Sequence, residues 1–298
     1  MYNYILEFCD EFEYPEKAKQ ALGKAYESIM MQKDARERFE AHLDLYFRDQ
    51  LKDYNQAWLD LEKAAELSRE HKYTVHLLFL ICLSKHLRER YKDRGISYQI
   101  FYDSMCDLKW KLFECHKMYD IWGSFVADWE KGFFTMDLFA LGRLHFELIP
   151  WAYSYEKDGY QVKKGDTVIN IHIPSCGPLL YEDCLDSYRK AAKFFKEHFP
   201  QKPIPFVCFS WLLFPQNKEI LPEGSNIRKF MNDFAIVSSK IDEEGMELWR
   251  IFYRDYKNKP EDLPRDTSLQ RAYADWLLKG NKVGTGEGIF FFDGERIR

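Results

Sequence analysis

The chain has 298 residues, 46% hydrophobic, 17% aromatic and 31% charged, enough apolar material for a sizeable core in one large domain or two smaller ones. With 43 Lys and Arg against 48 Asp and Glu the net charge is −5, which supplies no global attraction for nucleic acid or for anionic lipid. Only 15 Gly and 11 Pro beside so many aromatics exclude collagen, low-complexity and disordered classes.

The longest apolar run, Val75 to Leu83, is interrupted by His76 and falls far short of the roughly 20 residues that span a bilayer. The opening MYNYILEFCDEFEYP is acidic and lacks a basic n-region, so it does not read as a secretory signal, and a cytoplasmic location is expected. Seven cysteines, an odd number without a CxxC pair, fit reduced thiols and no metal site.

From Pro15 to about Tyr119 the pattern is helical. Ala18, Ala21, Leu22, Ala25 and Ile29 recur at spacings of three and four, as do Leu43, Tyr46, Phe47 and Leu51, which predicts four or five amphipathic helices. Asp34, Asn55 and Ser97 are expected as N-caps, and Gly95 closes the helix before Ser97. Trp110, Phe113, Trp122 and Trp129 lie at near-helical spacing and read as core. The texture changes after about residue 130, which divides the chain into a helical domain, 1–130, and a second domain, 131–298. The acidity sits in the first, where 19 Lys and Arg face 24 Asp and Glu.

In the second half, Leu141 to Tyr155 reads as a strand, Glu156 to Gly159 as a turn, and Thr167 to Ile173 as a strand of alternating β-branched residues. Asp183 to His198 reads as a helix and Pro205 to Phe214 as a strand covered on both faces. A short helix near Asn226 to Met231 and a strand at Phe234 to Ser239 follow. Helices at Glu243 to Tyr253 and Leu269 to Leu278, a GTGEG turn at Gly284 to Gly288 and a last strand at Ile289 to Phe292 complete the chain.

The first strand sets Leu144, Phe146 and Leu148 on one face and Arg143, His145 and Glu147 on the other; the strand at Thr167 sets Asn170 and His172 opposite Ile169, Ile171 and Ile173. Pairing the two gathers Glu147, His145 and His172 on one surface, where they can serve as acid and base. The same pattern also describes an antiparallel sheet with a merely solvated face. After IHIP, the Ser175-Cys176-Gly177-Pro178 connection exposes backbone N–H groups before a helix, an arrangement that suits an anion and equally an ordinary turn. Cys176, four residues beyond His172, is open to a thiol-nucleophile reading or to that of an inert thiol. Ser225 reads as a cap, and Asn226 as either a ligand contact or local structure.

The ordered segments LGRLHFE (141–147), GDTVINIHIPSCGPLLYEDCLDSYRKA (165–191), SWLLFP (210–215), LPEGSNIRKF (221–230) and GTGEGIFFF (284–292) resemble the GNAT-like C-terminal domain of a bacterial N-acyltransferase family. There it follows an all-helical N-terminal domain. The resemblance implies an α plus α/β protein, helical first and then a GNAT-like mixed β-sheet flanked by helices. It implies acyl transfer from acyl-coenzyme A, without a metal, to a small-molecule or peptide amine. Glu147, His172 and then His145 become the expected bases. Ile171 and Ile173 would offer backbone groups to the pantetheine arm; Ser175, Cys176 and Gly177, with Asn226, would hold the coenzyme. In place of Q/R-x-x-G-x-G/A this turn has one Gly followed by Pro178. A second reading of the same resemblance is a non-catalytic scaffold that binds acyl-CoA or a protein partner.

Overall fold

The structure is a computed structural model that describes residues 1–200, 203–257 and 259–298. The chain divides into two compact units, Met1–Phe139 and Ala140–Arg298.

The first unit is built from α1 (Tyr2–Glu11), α2 (Glu16–Met31), α3 (Lys33–Phe47), α4 (Tyr54–Ser68), α5 (Lys72–Asp93), α6 (Tyr98–Tyr119) and α7 (Ala127–Thr135). Every residue from Thr74 to Ser84 is buried, because α5 is the central helix and the others pack around it. On α2 the expected face is the buried one, with Ala18, Leu22, Ala25 and Ile29 inside. Two caps differ from expectation. Gln32, not Asp34, caps α3 by accepting from the Ala35 N–H at 3.0 Å, and Asp53, not Asn55, caps α4 by accepting from Gln56 N–H at 2.9 Å. Both helices begin earlier than hydrophobic periodicity shows, since a cap precedes the first apolar residue by a variable offset. Ser97 is the N-cap of α6, and Gly95 follows α5 at φ +66°. The tryptophan stripe is not core: Trp110, Phe113 and Trp122 are half-buried and Trp129 is 36% exposed.

Inside this unit lies a polar cluster that the sequence did not announce. Glu130 is fully buried and accepts a hydrogen bond from the Ser124 hydroxyl, while Lys111 donates to Glu114 at 3.0 Å, both side chains being buried. Burial, reinforced by the negative charge of Asp107, pushes the Glu130 carboxyl up to about 8.

The second unit contains β1 (Leu138–Leu141, entered from the first), β2 (Leu144–Pro150), β3 (Tyr155–Lys157), β4 (Tyr160–Val162), β5 (Thr167–His172), α8 (Tyr181–Phe194), β6 (Ile204–Ser210), α9 (Asn217–Ile220), α10 (Asn226–Met231), β7 (Ala235–Asp242), α11 (Trp249–Phe252), α12 (Ser268–Leu278) and β8 (Val283–Phe292). Six strands form one mixed sheet in the order β1-β2-β5-β6-β8-β7, and β3 and β4 form a separate hairpin. β5 and β6 run parallel, joined by α8; β2–β5, β6–β8 and β7–β8 are antiparallel. An aromatic core fills the α8 side, where Tyr188 meets Phe206 and Phe290, and the latter two rings stack at 5.3 Å.

The expected strand from Leu141 to Tyr155 is two strands of the sheet and the start of the β3–β4 hairpin. Gly142-Arg143 turns β1 into β2, and Asp158-Gly159, both at positive φ, closes the hairpin as a type I′ turn. The GTGEG run is not a turn. It is the first half of β8, paired with β7 throughout and with β6 from Gly286 onward, and its glycines answer to packing. A Cβ on Gly286 would stand 2.2 Å from the Leu213 carbonyl oxygen, one on Gly284 2.5 Å from the Phe214 ring, and one on Gly288 2.7 Å from Phe234. Of the other expected helices, Glu243 to Tyr253 shrinks to a 3-10 turn and α11. The strand from Pro205 ends at Ser210 and gives way to a 3-10 turn at Trp211–Leu213.

Candidate active site

Antiparallel register sets His145 opposite His172 and Glu147 opposite Asn170, so all four side chains leave the sheet on the side away from α8. His172 Nε2 lies 2.7 Å from Glu147 Oε1, and Asn170 Nδ2 donates to the same oxygen at 2.9 Å. A carboxylate there accepts the Nε2 proton, so in the neutral imidazole the acceptor nitrogen is Nδ1. Burial raises the Glu147 carboxyl, but the bonds from His172 and Asn170 outweigh it and hold its pKa below the usual value. The pair is neither sealed nor fully wet, with side-chain exposures of 27% and 29%. His145 is different: at 4% exposure it is buried beneath this surface.

Around the start of β5 this sheet face is apolar. Val168, Val207, Ile289 and Phe291 pack with Trp151 and Val162, and the hairpin side chain Tyr155 joins them. The face is therefore split along β5, greasy at its start and titratable at its end. That end is also where the sheet opens. β5 and β6 are paired at Ile169–Phe206 and Asn170–Val207 only, so Ile171 and His172 run on beside Cys208–Ser210 without a ladder between them. Ile173 lies past the last residue of β5 rather than in it.

Beyond β5 the chain bends through Ser175, Cys176 and Gly177, the last at φ +109°, before α8 begins at Tyr181. Arg143 shapes this bend. Its guanidinium donates to the carbonyls of Pro174 at 3.0 Å, Gly177 at 2.8 Å and Pro178 at 3.1 Å, while its own N–H donates to Ser187 Oγ. Three carbonyls are thereby turned toward one cation. The sequence reading placed Arg143 with His145 and Glu147 on the strand face; its position in the β1–β2 turn sends it to the bend instead. Nothing in the pattern of β2 signals that role.

Asn226 opens α10, whose N-cap Ser225 accepts from Arg228 N–H at 3.2 Å as expected. α10 packs against α8, which puts Asn226 in the helical layer and not on the Glu147–His172 face. The two are tied together by Asp233, which accepts from the Tyr181 and Tyr188 hydroxyls, each at 3.2 Å; burial pushes its carboxyl up to about 7. A cavity of about 200 Å³ lined by Asp242, Leu248, Tyr256 and Leu277 lies by the start of β8 and contains none of these residues. Among the described residues no three His, Cys, Asp or Glu side chains gather as metal ligands would. Among the described residues no helix is long and apolar enough to cross a membrane.

The fold and this face define a GNAT-like acyltransferase architecture. Residues 138–290 match the family described as GNAT-like C-terminal domain and residues 4–136 match the N-acyltransferase N-terminal domain, so the chain belongs to this two-domain family. No curated protein matches it. Among solved structures, it is similar to an acyltransferase in complex with decanoyl-CoA and teicoplanin. That likeness has 20% identity and a TM-score of 0.69, and covers 96% of this chain and 87% of that one. An acyltransferase in complex with decanoyl-CoA gives 21% identity and a TM-score of 0.62, covering 96% and 98%. At such identity the likeness is one of fold.

Proposed function

We propose that the protein transfers an acyl group from acyl-coenzyme A to an amine, with His172 as the base and Glu147 as the carboxylate that orients and polarises it. The observation that carries this reading is the Glu147–His172 hydrogen bond at the point where β5 and β6 part. The opening leaves room for a thioester beside Ile171, whose backbone N–H is suited to the developing oxyanion. The Arg143-clamped bend at Ser175–Gly177 is assigned to the coenzyme's phosphates, because holding three carbonyls inward leaves the N–H groups of the bend to face outward. The similar acyltransferases with acyl-CoA or CoA bound support the donor, and the one with teicoplanin supports an amine-bearing acceptor of peptide type.

The acceptor arrives as an ammonium. His172 removes one proton, the freed lone pair attacks the thioester carbonyl carbon, and the tetrahedral intermediate collapses by breaking the C–S bond. The thiolate takes the second nitrogen proton, and His172 returns its own to solvent. The products are an amide and the free thiol of coenzyme A. Steady-state kinetics with a series of acyl-CoAs and primary amines test the assignment. His172→Ala is expected to lower kcat by about 100-fold and Glu147→Gln by about tenfold, within the range for general-base catalysis. Retention of full activity by both variants would remove the base, and with it this mechanism. Binding of acyl-CoA by a wild-type protein that acylates none of the amines would instead identify the non-catalytic scaffold.

A further inference from the structure

Glu287 lies in the middle of β8, opposite Phe209 of β6 on one side and Ser238 of β7 on the other. Alternation along β6 carries the face of Val207 to Phe209, and alternation along β5 carries that of Asn170 to His172. His145, His172, Phe209, Glu287 and Ser238 thus form one row across the sheet, on the side away from α8. Three features of this row have no structural explanation. Glu287 Oε2 is buried, and among the described residues no donor reaches it; a buried carboxylate oxygen without a partner is costly. Phe209, in the middle of a six-stranded sheet, is 61% exposed. A β-bulge sets Val237 and Ser238 together against Glu287, so the irregularity in β7 falls at this residue.

We propose that Glu287 and Phe209 form the acceptor-selecting half of the site. The acceptor is a diamine, with one nitrogen acylated at His172 and the other held as an ammonium by Glu287. This rests on the acyl-transfer reading above. Glu287 is two strands from His172, farther than the roughly 10 Å of two ladder spacings, because β5 and β6 part beside His172. It cannot hold the nitrogen that His172 deprotonates. After a hydrogen bond of roughly 3 Å at each end, more than about 4 Å remains between the two nitrogens, which takes a spacer of about three carbons or more. The exposed Phe209 ring between them supplies an apolar surface for that spacer and a quadrupole that favours the neighbouring cation.

The test compares 1,4-diaminobutane with n-pentylamine, which replaces the second amino group by a methyl. Wild-type kcat/KM is expected to favour the diamine by at least tenfold. Glu287→Gln, isosteric and uncharged, is expected to bring that ratio near one, and Glu287→Asp to retain part of it, with melting curves confirming that both variants fold. A wild-type ratio near one, or a ratio preserved in Glu287→Gln, overturns the proposal. Calorimetric titration of the same two amines without donor separates this inference from the one beneath it. Preferential binding of the diamine that is lost in Glu287→Gln but kept in His172→Ala upholds the acceptor site even where no amide forms. Equal binding of both amines to wild type overturns it even where acyl transfer is confirmed.

Discussion

Single side chains in this protein act through what they hold in place. Arg143 is the plainest case: one guanidinium spans three carbonyls of the bend between β5 and α8, and charge-assisted bonds of this kind each contribute about 1.5–3 kcal/mol. Arg143→Met is therefore expected to raise the KM for acyl-CoA by about tenfold or more while kcat falls less, because the bend and not the base is disturbed. Equal losses in kcat and in kcat/KM would place Arg143 in the chemical step instead. Glu147 obeys a similar logic in the opposite direction. The bonds it accepts hold its carboxyl ionised, so the tautomer of His172 is fixed wherever Glu147 keeps its charge.

At the scale of elements, β8 and the α6–α7 region each carry a constraint that composition conceals. The three glycines of β8 admit Leu213, Phe214 and Phe234 to within distances at which no Cβ fits. Gly286→Ala is expected to cost roughly 1–3 kcal/mol, as overpacking does, read as a lower urea midpoint at unchanged slope; a midpoint equal to wild type would mean that the 3-10 turn at Trp211–Leu213 yields freely. Glu130 makes the helical unit sensitive to pH. Its folded pKa of about 8 stands well above that of an unfolded glutamate, so between roughly pH 4.5 and 8 the native state retains a proton that the unfolded state has lost. Stability should then fall as pH rises through that window, by up to about 1.4 kcal/mol per unit for one group. Glu130→Gln should flatten the slope of melting temperature against pH, and an unaltered slope would assign the dependence to other groups.

For the whole molecule, the relevant quantity is linkage between ligand and folding. A coenzyme that binds only the native chain stabilises it by about 2.7 kcal/mol at 100 times its dissociation constant. Coenzyme A, acetyl-CoA and longer acyl-CoAs should raise the melting temperature, with the increment growing along the acyl series until the chain outgrows its pocket. A shift from coenzyme A alone with no dependence on the acyl chain would mark the thioester's substituent as unrecognised. No shift from any of them would remove the coenzyme from the reading altogether.

How much of this was legible in the sequence depends on the range of the interaction involved. The helical first half and the polar faces of β2 and β5 follow from local periodicity. Glu147 and His172 are set two residues from other polar positions on strands that the topology makes neighbours, so their convergence required only the pairing and its register. The resemblance to the N-acyltransferase family was likewise carried by short segments in order. What local pattern could not decide was everything fixed by a distant partner. Arg143 sits at the end of a run that alternates like a strand, yet a turn at Gly142 redirects it to carbonyls more than 30 residues away. GTGEG has the glycine density of a loop, and only the approach of Leu213, Phe214 and Phe234 makes it part of an interior strand. Because Glu287 lies inside that run, its place on the acceptor face became visible only with the strand. Periodicity reports which way a side chain points relative to its own backbone; which groups it meets there is set by packing and register between segments far apart in the chain.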